Sequence, residues 1–133
     1  MAENREDVLV VEDDAAVNSL VGAYVEIAGF KYRPALDGGT AIQEAINHVP
    51  SLVVLDLMLP DTDGFEVCRR LKHDQRTADV PVVMLTALND EQSRRKGLEC
   101  GAVEYLTKPF DPDRLLEAIK HHARRNGHPI GHT

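Results

Sequence analysis

Short apolar runs alternate with segments of helical periodicity along the chain. The runs are Val8–Val11 (VLVV), Phe30–Ala35 (FKYRPA), Leu52–Leu55 (LVVL), Val80–Leu85 (VPVVML) and Glu104–Thr107 (EYLT), each of strand length. Between them apolar residues recur at helical spacing. Val17, Leu20, Val21, Tyr24 and Val25 share one predicted helix face, Ala41, Ile42, Ala45 and Ile46 a second, and Leu115, Leu116, Ile119 and Ala123 a third. Phe65, Cys68 and Leu71 make a shorter stripe. Asp90–Gly101 carries the weakest, resting mostly on Leu98, so this fourth helix is expected to pack least firmly. The punctuation agrees. Asp14 and Asp111 stand at N-cap positions, Pro112 follows in a first turn, Gly29 and Gly101 fit helix C-termini, and Gly127 and Pro129 close the last helix.

Five successive β–α units predict a parallel sheet with helices on both faces and right-handed crossovers. The first, third and fourth runs are the most continuously apolar and belong in the centre, where both faces are buried. Pro34 cannot donate to a ladder and confines the second run to an edge. The expected fold is α/β, a doubly wound five-stranded parallel sheet of order 2-1-3-4-5 with five helices, flavodoxin-like in architecture. One domain is expected over residues 1–126, with 127–133 (GHPIGHT) as a tail or the start of a linker.

Composition narrows the function classes. At 133 residues, 43% hydrophobic and 28% charged, the chain suits one globular domain and not a disordered segment. A formal net charge of −7 repels phosphate backbones, which argues against direct nucleic-acid binding by this domain. No apolar run approaches the roughly 18 residues of a membrane span, and the polar start MAENREDV is no signal peptide. Cys68 and Cys100 form no CxxC pattern; they read as small packed side chains in a reducing, cytoplasmic protein.

The chemistry gathers at the strand ends. Leu52–Leu55 runs into Asp56, a carboxylate at the end of a strand built for a core. In a sheet of this order, sites form at the carboxyl ends of the strands near the switch point between the first and third. Glu12 and Asp13 end the first strand, Asp56 the third, Thr86 the fourth and Lys108 the fifth. Three converging carboxylates repel one another, and a hard divalent cation resolves that; Mg²⁺ needs few protein oxygens because it keeps several waters. Lys108 adds an ammonium and Thr86 a hydroxyl. Such a set suits a transferring phosphoryl group, with one carboxylate as nucleophile. On that reading Asp56 sits on a rigid strand because it must aim at phosphorus.

These residues resemble the receiver domain of two-component response regulators, the CheY-like family. The matching stretches are Glu12–Asp13 after VLVV, LVVLDLMLPDTDG around Asp56, VPVVMLTA ending in Thr86–Ala87, and YLTKPF containing Lys108, spread from about Val8 to Arg125. Each motif is weak alone, and the four in order are specific. The resemblance implies a signalling module and not a turnover enzyme, catalysing at most its own phosphorylation and dephosphorylation. A sensor histidine kinase or phosphotransfer protein would phosphorylate Asp56. Asp13, Asp56 and the backbone carbonyl of Met58 would hold Mg²⁺, for which Mn²⁺ can substitute, with Glu12 acting mainly through water. Thr86 and Lys108 would contact the phosphoryl oxygens, Tyr105 would turn inward as Thr86 moves, Ala87 would leave the site open, and the Lys108–Pro109 peptide would be cis. A phosphorylation-dependent dimer on the face of the fourth helix, fifth strand and fifth helix belongs to the winged-helix branch of the family. Val103–Glu104 and Ala118 depart from that branch's acidic pair and basic residue, so the dimer mode and the downstream effector stay open.

Other residues have plainer readings. Asp14 reads as a cap, Asp61 and Asp63 as turn chemistry, and Gly38–Gly39 as no phosphate loop, since neither GxGxxG nor GK[ST] follows. His121, His122, His128 and His132 read as a solvated helix end. Met58 and Leu88, two residues after Asp56 and Thr86, cannot orient a hydrolytic water, which implies a long-lived phosphoryl group. Two alternatives compete. A receiver-like interaction module independent of phosphorylation would have lost the acceptor, the acidic pair or the lysine, and all are present. A Mg²⁺-dependent aspartyl-phosphate phosphatase would carry an acid where Met58 stands.

Overall fold

The computed structural model describes residues 6–123. They form β1 (Asp7–Val11), α1 (Ala15–Ile27), β2 (Lys31–Ala35), α2 (Gly38–Asn47), β3 (Leu52–Leu55), α3 (Gly64–His73), β4 (Val82–Thr86), α4 (Glu91–Glu99), β5 (Glu104–Thr107) and α5 (Pro112–His122). The strands pair in parallel in the order β2-β1-β3-β4-β5, as the run pattern predicts, with the Pro34 strand at one edge. Successive side chains leave opposite faces. Leu9, Val11, Val53, Leu55, Val82 and Met84 therefore pack with α2 and α3 residues such as Ala41, Ala45, Val67, Cys68 and Leu71. Val8, Val10, Leu52, Val54, Val83 and Leu85 pack with Val21 and Val25 of α1 and Leu115 and Ile119 of α5. Both faces are covered, so the central strands read as unbroken apolar runs.

Asp14 and Asp111 cap their helices as expected, and three further aspartates do the same. Asp14, Asp37, Asp63, Asp90 and Asp111 each accept a backbone N–H at the start of α1 to α5 respectively. At Gly29 (φ 96°) and Gly101 (φ 109°) the chain turns left-handed. The next residue's N–H returns to a helix carbonyl, Phe30 to Val25 at 3.2 Å and Ala102 to Gly97 at 3.2 Å, closing α1 and α4. The Lys108–Pro109 peptide is cis.

Several expectations need correction. β2 starts at Lys31, because the Phe30 N–H is spent on the α1 cap. β4 starts at Val82: the Val80 N–H closes a turn on Thr77 O, and Pro81 has no N–H. Leu20 does not belong to the buried face of α1, being 49% exposed; that face is Asn18, Val21, Gly22 and Val25. The helix approaches β2 through Gly22, where a Cβ would lie 2.5 Å from the Tyr32 ring, and this close approach rolls Leu20 outward. Leu98 does not anchor α4 either. It is 46% exposed, and the buried residue of that helix is Gly97, against Met84 and Tyr105. α5 ends at His122 with Ala123 as C-cap, so Gly127 and Pro129 do not end it. They lie outside the described residues, as do His128, His132 and the expected boundary at 126/127.

Candidate functional site

The parallel ladder runs one residue beyond the strands at their carboxyl ends. The Asp56 N–H donates to Val11 O (3.0 Å), the Glu12 N–H to Ala35 O (3.1 Å) and the Lys108 N–H to Thr86 O (2.9 Å). These bonds bring Glu12, Asp56 and Lys108 to one end of the sheet. Asp56 and Glu12 are 6% and 4% exposed, whereas Asp13 faces solvent. Carboxylate oxygens of Glu12, Asp13 and Asp56 all lie within 4.8 Å of one another.

Lys108 spans this group. Its Nζ donates to Asp56 Oδ2 at 3.0 Å and to Glu12 Oε1. The remaining oxygens are also engaged: Glu12 Oε2 accepts from the Asp14 N–H (3.0 Å) and Asp56 Oδ1 from the Met58 N–H (3.2 Å). Burial pushes the Glu12 carboxyl above the ordinary range, against the lowering effect of its bond to Lys108. Burial also opposes the Lys108 charge, but hydrogen bonds to Glu12 and Asp56 outweigh it and raise the ammonium pKa.

One ammonium does not balance three carboxylates, and the convergent oxygens fit a hard divalent cation. Asp13 is open to water, as a metal that keeps much of its hydration requires. Among the described residues this is the group of acidic, His or Cys side chains close enough to hold a metal. Met58 follows on the loop after β3; its side chain is 55% exposed, and a short bridge pairs it with Asp63.

Thr86 is fully buried at the end of β4, and its Oγ1 accepts from the Leu88 N–H at 3.3 Å. Ala87 is exposed and Leu88 half-buried. Tyr105 is buried: its hydroxyl donates to Leu88 O at 2.7 Å, and Arg94 lies over its ring, 5.2 Å from the centroid. Thr86 and Tyr105 thus both bond to Leu88.

The plainer readings divide. Asp14 and Asp63 are N-caps. Asp61 does more than turn the chain. Its carboxylate accepts the Gly38 and Gly39 N–H groups at 2.9 Å each, which lower its pKa, and so ties the β3–α3 loop to the start of α2. Gly38–Gly39 therefore does bind an anion, an internal one. His122 is not simply solvated, because its Nε2 meets Glu104 Oε1 at 2.8 Å. His121 is exposed. Sequence reasoning passed over Asn18, a buried amide whose spacing with Val21 and Val25 already placed it on the covered face. It also passed over the Asp7–Arg33–His48 cluster at the opposite end of the sheet, which only the pairing of β1 with β2 assembles.

Comparison with known proteins agrees with this architecture. The family model for the response regulator receiver domain matches residues 8–120, and the chain belongs to that family. It is 46% identical over 118 residues to the DNA-binding dual master transcriptional regulator RpaA of Synechocystis sp., covering 89% of this chain and 49% of that protein. It is 40% identical over 120 residues to the phosphate regulon transcriptional regulatory protein PhoB of Pseudomonas aeruginosa, covering 90% and 52%. The chain spans about half the length of these curated relatives. Among solved structures, the BeF3-activated DrrB receiver domain superposes with a TM-score of 0.81 at 34% identity, covering 89% of this chain and 97% of that one. The Vibrio cholerae chemotaxis protein CheY4 gives 0.82 at 26% identity, covering 89% and 98%. The protein is a receiver domain homologous to transcription-regulating response regulators. Such domains are signal transducers and generally bind Mg²⁺.

Proposed function

We propose that Asp56 accepts a phosphoryl group from a sensor histidine kinase or phosphotransfer protein. The observation that carries this reading is the Lys108 ammonium bonded to both Asp56 and Glu12, with an Asp13 carboxylate oxygen within 4.8 Å of theirs. An Asp56 oxygen attacks phosphorus in line, forming a P–O bond as the P–N bond of the donor's phosphohistidine breaks. The bonding pair leaves with the imidazole nitrogen. Asp13, Asp56 and the Met58 carbonyl would hold Mg²⁺, with Glu12 acting through water. Bound there, the cation neutralises phosphoryl oxygens. Lys108 then turns from the carboxylates to a phosphoryl oxygen, and Thr86 leaves the Leu88 N–H to donate to another. Tyr105, linked to the same Leu88, is the switch aromatic. In this sense the domain catalyses at most its own phosphorylation, with no side chain placed at Met58 or Leu88 to speed the reverse loss to water.

The test is intact mass after incubation with acetyl phosphate and Mg²⁺: the parent gains a phosphoryl group and Asp56→Asn does not. An Asp56→Asn variant phosphorylated at the parent's rate sinks the assignment. Asp13→Ala is expected to weaken Mg²⁺ more than Glu12→Ala, because a direct ligand outranks one acting through water. Met58 and Leu88 offer no side-chain hydrogen bond to an attacking water, so the phosphorylated state is long-lived. A Met58→Asn, Leu88→Glu double variant should decay faster.

The output is proposed to be transcription control through a DNA-binding segment, in a cytoplasmic protein. RpaA, a DNA-binding transcriptional regulator, and PhoB, a transcriptional regulatory protein, support it, each being matched over about half its length. Phosphorylation would act through dimerisation, read as a doubling of mass by light scattering.

A further inference from the structure

Asn18 is a polar side chain in the buried face of α1, 1% exposed. The two N–H groups of its Nδ2 face three carbonyl oxygens, Val10 at 3.1 Å, Glu12 at 2.9 Å and Ala35 at 3.2 Å, so one N–H is shared between two of them. Its Oδ1 accepts from the Tyr32 hydroxyl. Chemistry sets this orientation, since the flipped amide would press Oδ1 against three acceptors and lose the tyrosine donor.

The carbonyls come from separate places. Val10 belongs to β1, Ala35 ends β2, and Glu12 opens the turn that carries the acidic pair. One buried amide from a third element therefore ties together the backbone beneath Glu12 and Asp13. Tyr32 is itself confined, because its ring occupies the space a Cβ at Gly22 would need, 2.5 Å away. Gly22 makes room for Tyr32, Tyr32 orients Asn18, and Asn18 holds the Glu12 carbonyl. A metal site depends on the groups that hold its ligands in place, and losing such a partner costs about 10–100-fold in affinity.

We infer that Asn18, oriented by Tyr32, is a positioning residue for the Glu12–Asp13 pair and sets the divalent-cation affinity of the site. The inference rests on the reading of these acids as the Mg²⁺ site.

The experiment titrates Mg²⁺ calorimetrically into the metal-free parent, Asn18→Ala, Tyr32→Phe and Val21→Ala, with melting temperature measured for each. Val21→Ala damages the same helix face without touching the amide. Hydrogen exchange at the Asp13 and Asp14 amides is read in the metal-free proteins. Asn18→Ala should weaken Mg²⁺ about tenfold or more and speed exchange at Asp13 and Asp14, and Tyr32→Phe should do both to a smaller degree. Val21→Ala should lose comparable thermal stability and keep its Mg²⁺ affinity within about twofold of the parent. Parental affinity in Asn18→Ala, or an equal loss in Val21→Ala, overturns the inference. Should Asn18→Ala fail to fold, Tyr32→Phe decides: unchanged affinity and unchanged exchange at both amides overturn it. The calorimetric arm needs no phosphoryl transfer. A parent that binds Mg²⁺ but never gains phosphoryl mass sinks the phosphoacceptor reading alone.

Discussion

α4 and α5 flank the same strand, and different physics attaches each of them. β5 sends Leu106 to one face, where α5 covers it with Leu115, Ala118 and Ile119 and the cap residue Ala123. It sends Tyr105 to the other, where α4 meets it through Gly97. α5 is held mainly by apolar burial, which is non-directional and grows with area, with one directional contact at its end, His122 Nε2 to Glu104 Oε1 at 2.8 Å. α4 is held by a close backbone approach and by directional contacts: Arg94 over the Tyr105 ring and Arg94 to Tyr105 O at 3.5 Å, with the Tyr105 hydroxyl to Leu88 O fastening the loop that leads into it. Such contacts are worth about 1 kcal/mol each and fail when a partner moves. The more lightly fastened helix follows the loop that leaves β4 after Thr86.

The sharpest way to break this comparison is to delete apolar bulk from α5. Ile119→Ala should lower unfolding free energy by about 2–5 kcal/mol in urea, as a buried aliphatic with no room to relax. A cost below that of any α4 variant would invert the contrast. A second probe lies where α3 packs under the end of α4. Cys68 Sγ donates to Cys100 O at 3.5 Å, and burial pushes the thiol up to about 11 from a usual 9.0. The folded state thus favours the protonated thiol. Its stabilisation is full below pH 9 and is lost as pH rises toward 11, by roughly 3 kcal/mol in all. Urea titrations across that window should show the loss in the parent, and a Cys68→Ala variant should lose less stability by that amount, the remainder belonging to Tyr32, Tyr105 and Lys108, whose pKa values are also raised.

Gly97→Leu should cost about 1–3 kcal/mol by forcing α4 off the sheet, because even a Cβ there would lie 2.7 Å from Met84 Sδ. Hydrogen exchange should then speed along α4 and not along α5. Tyr105→Phe removes one hydrogen bond and should cost about 0.5–1.5 kcal/mol, seen first as faster exchange at the start of α4. Leu98→Ala should be the smallest effect, within about 0.5 kcal/mol; a larger loss would mean that the apolar stripe does anchor α4 after all.

The same two helices show what could be read in advance. α5 was legible because its apolar residues recur at helical spacing between an Asp–Pro start and a basic end. α4 is legible as a weak element, but its stripe points to Leu98 while the structure seats the helix through Gly97. A stripe reports which residues are apolar, and it does not report how closely the helix axis approaches the sheet. Where the approach is close the contact residue is glycine, which carries no hydropathy signal. Leu20 was misplaced for a related reason, since Gly22 under Tyr32 rolls α1.

At the site, the individual residues were visible at strand ends because a doubly wound sheet of this order brings those ends together. The amino-acid sequence by itself determined the order and type of the elements, the strand order, the caps at Asp14 and Asp111 and the strand-end positions of Glu12, Asp13, Asp56, Thr86 and Lys108, since these follow from local periodicity, cap chemistry and the packing rules of parallel sheets. The tertiary structure alone decided that Lys108 bonds Glu12 as well as Asp56, that Asp61 binds the start of α2, that Leu88 links Thr86 to Tyr105, and that Asn18 ties Val10, Glu12 and Ala35 together. Those bonds join residues from different elements, and their geometry depends on how far each helix is rolled and how closely it sits, which close packing of the whole fold settles and no local pattern encodes.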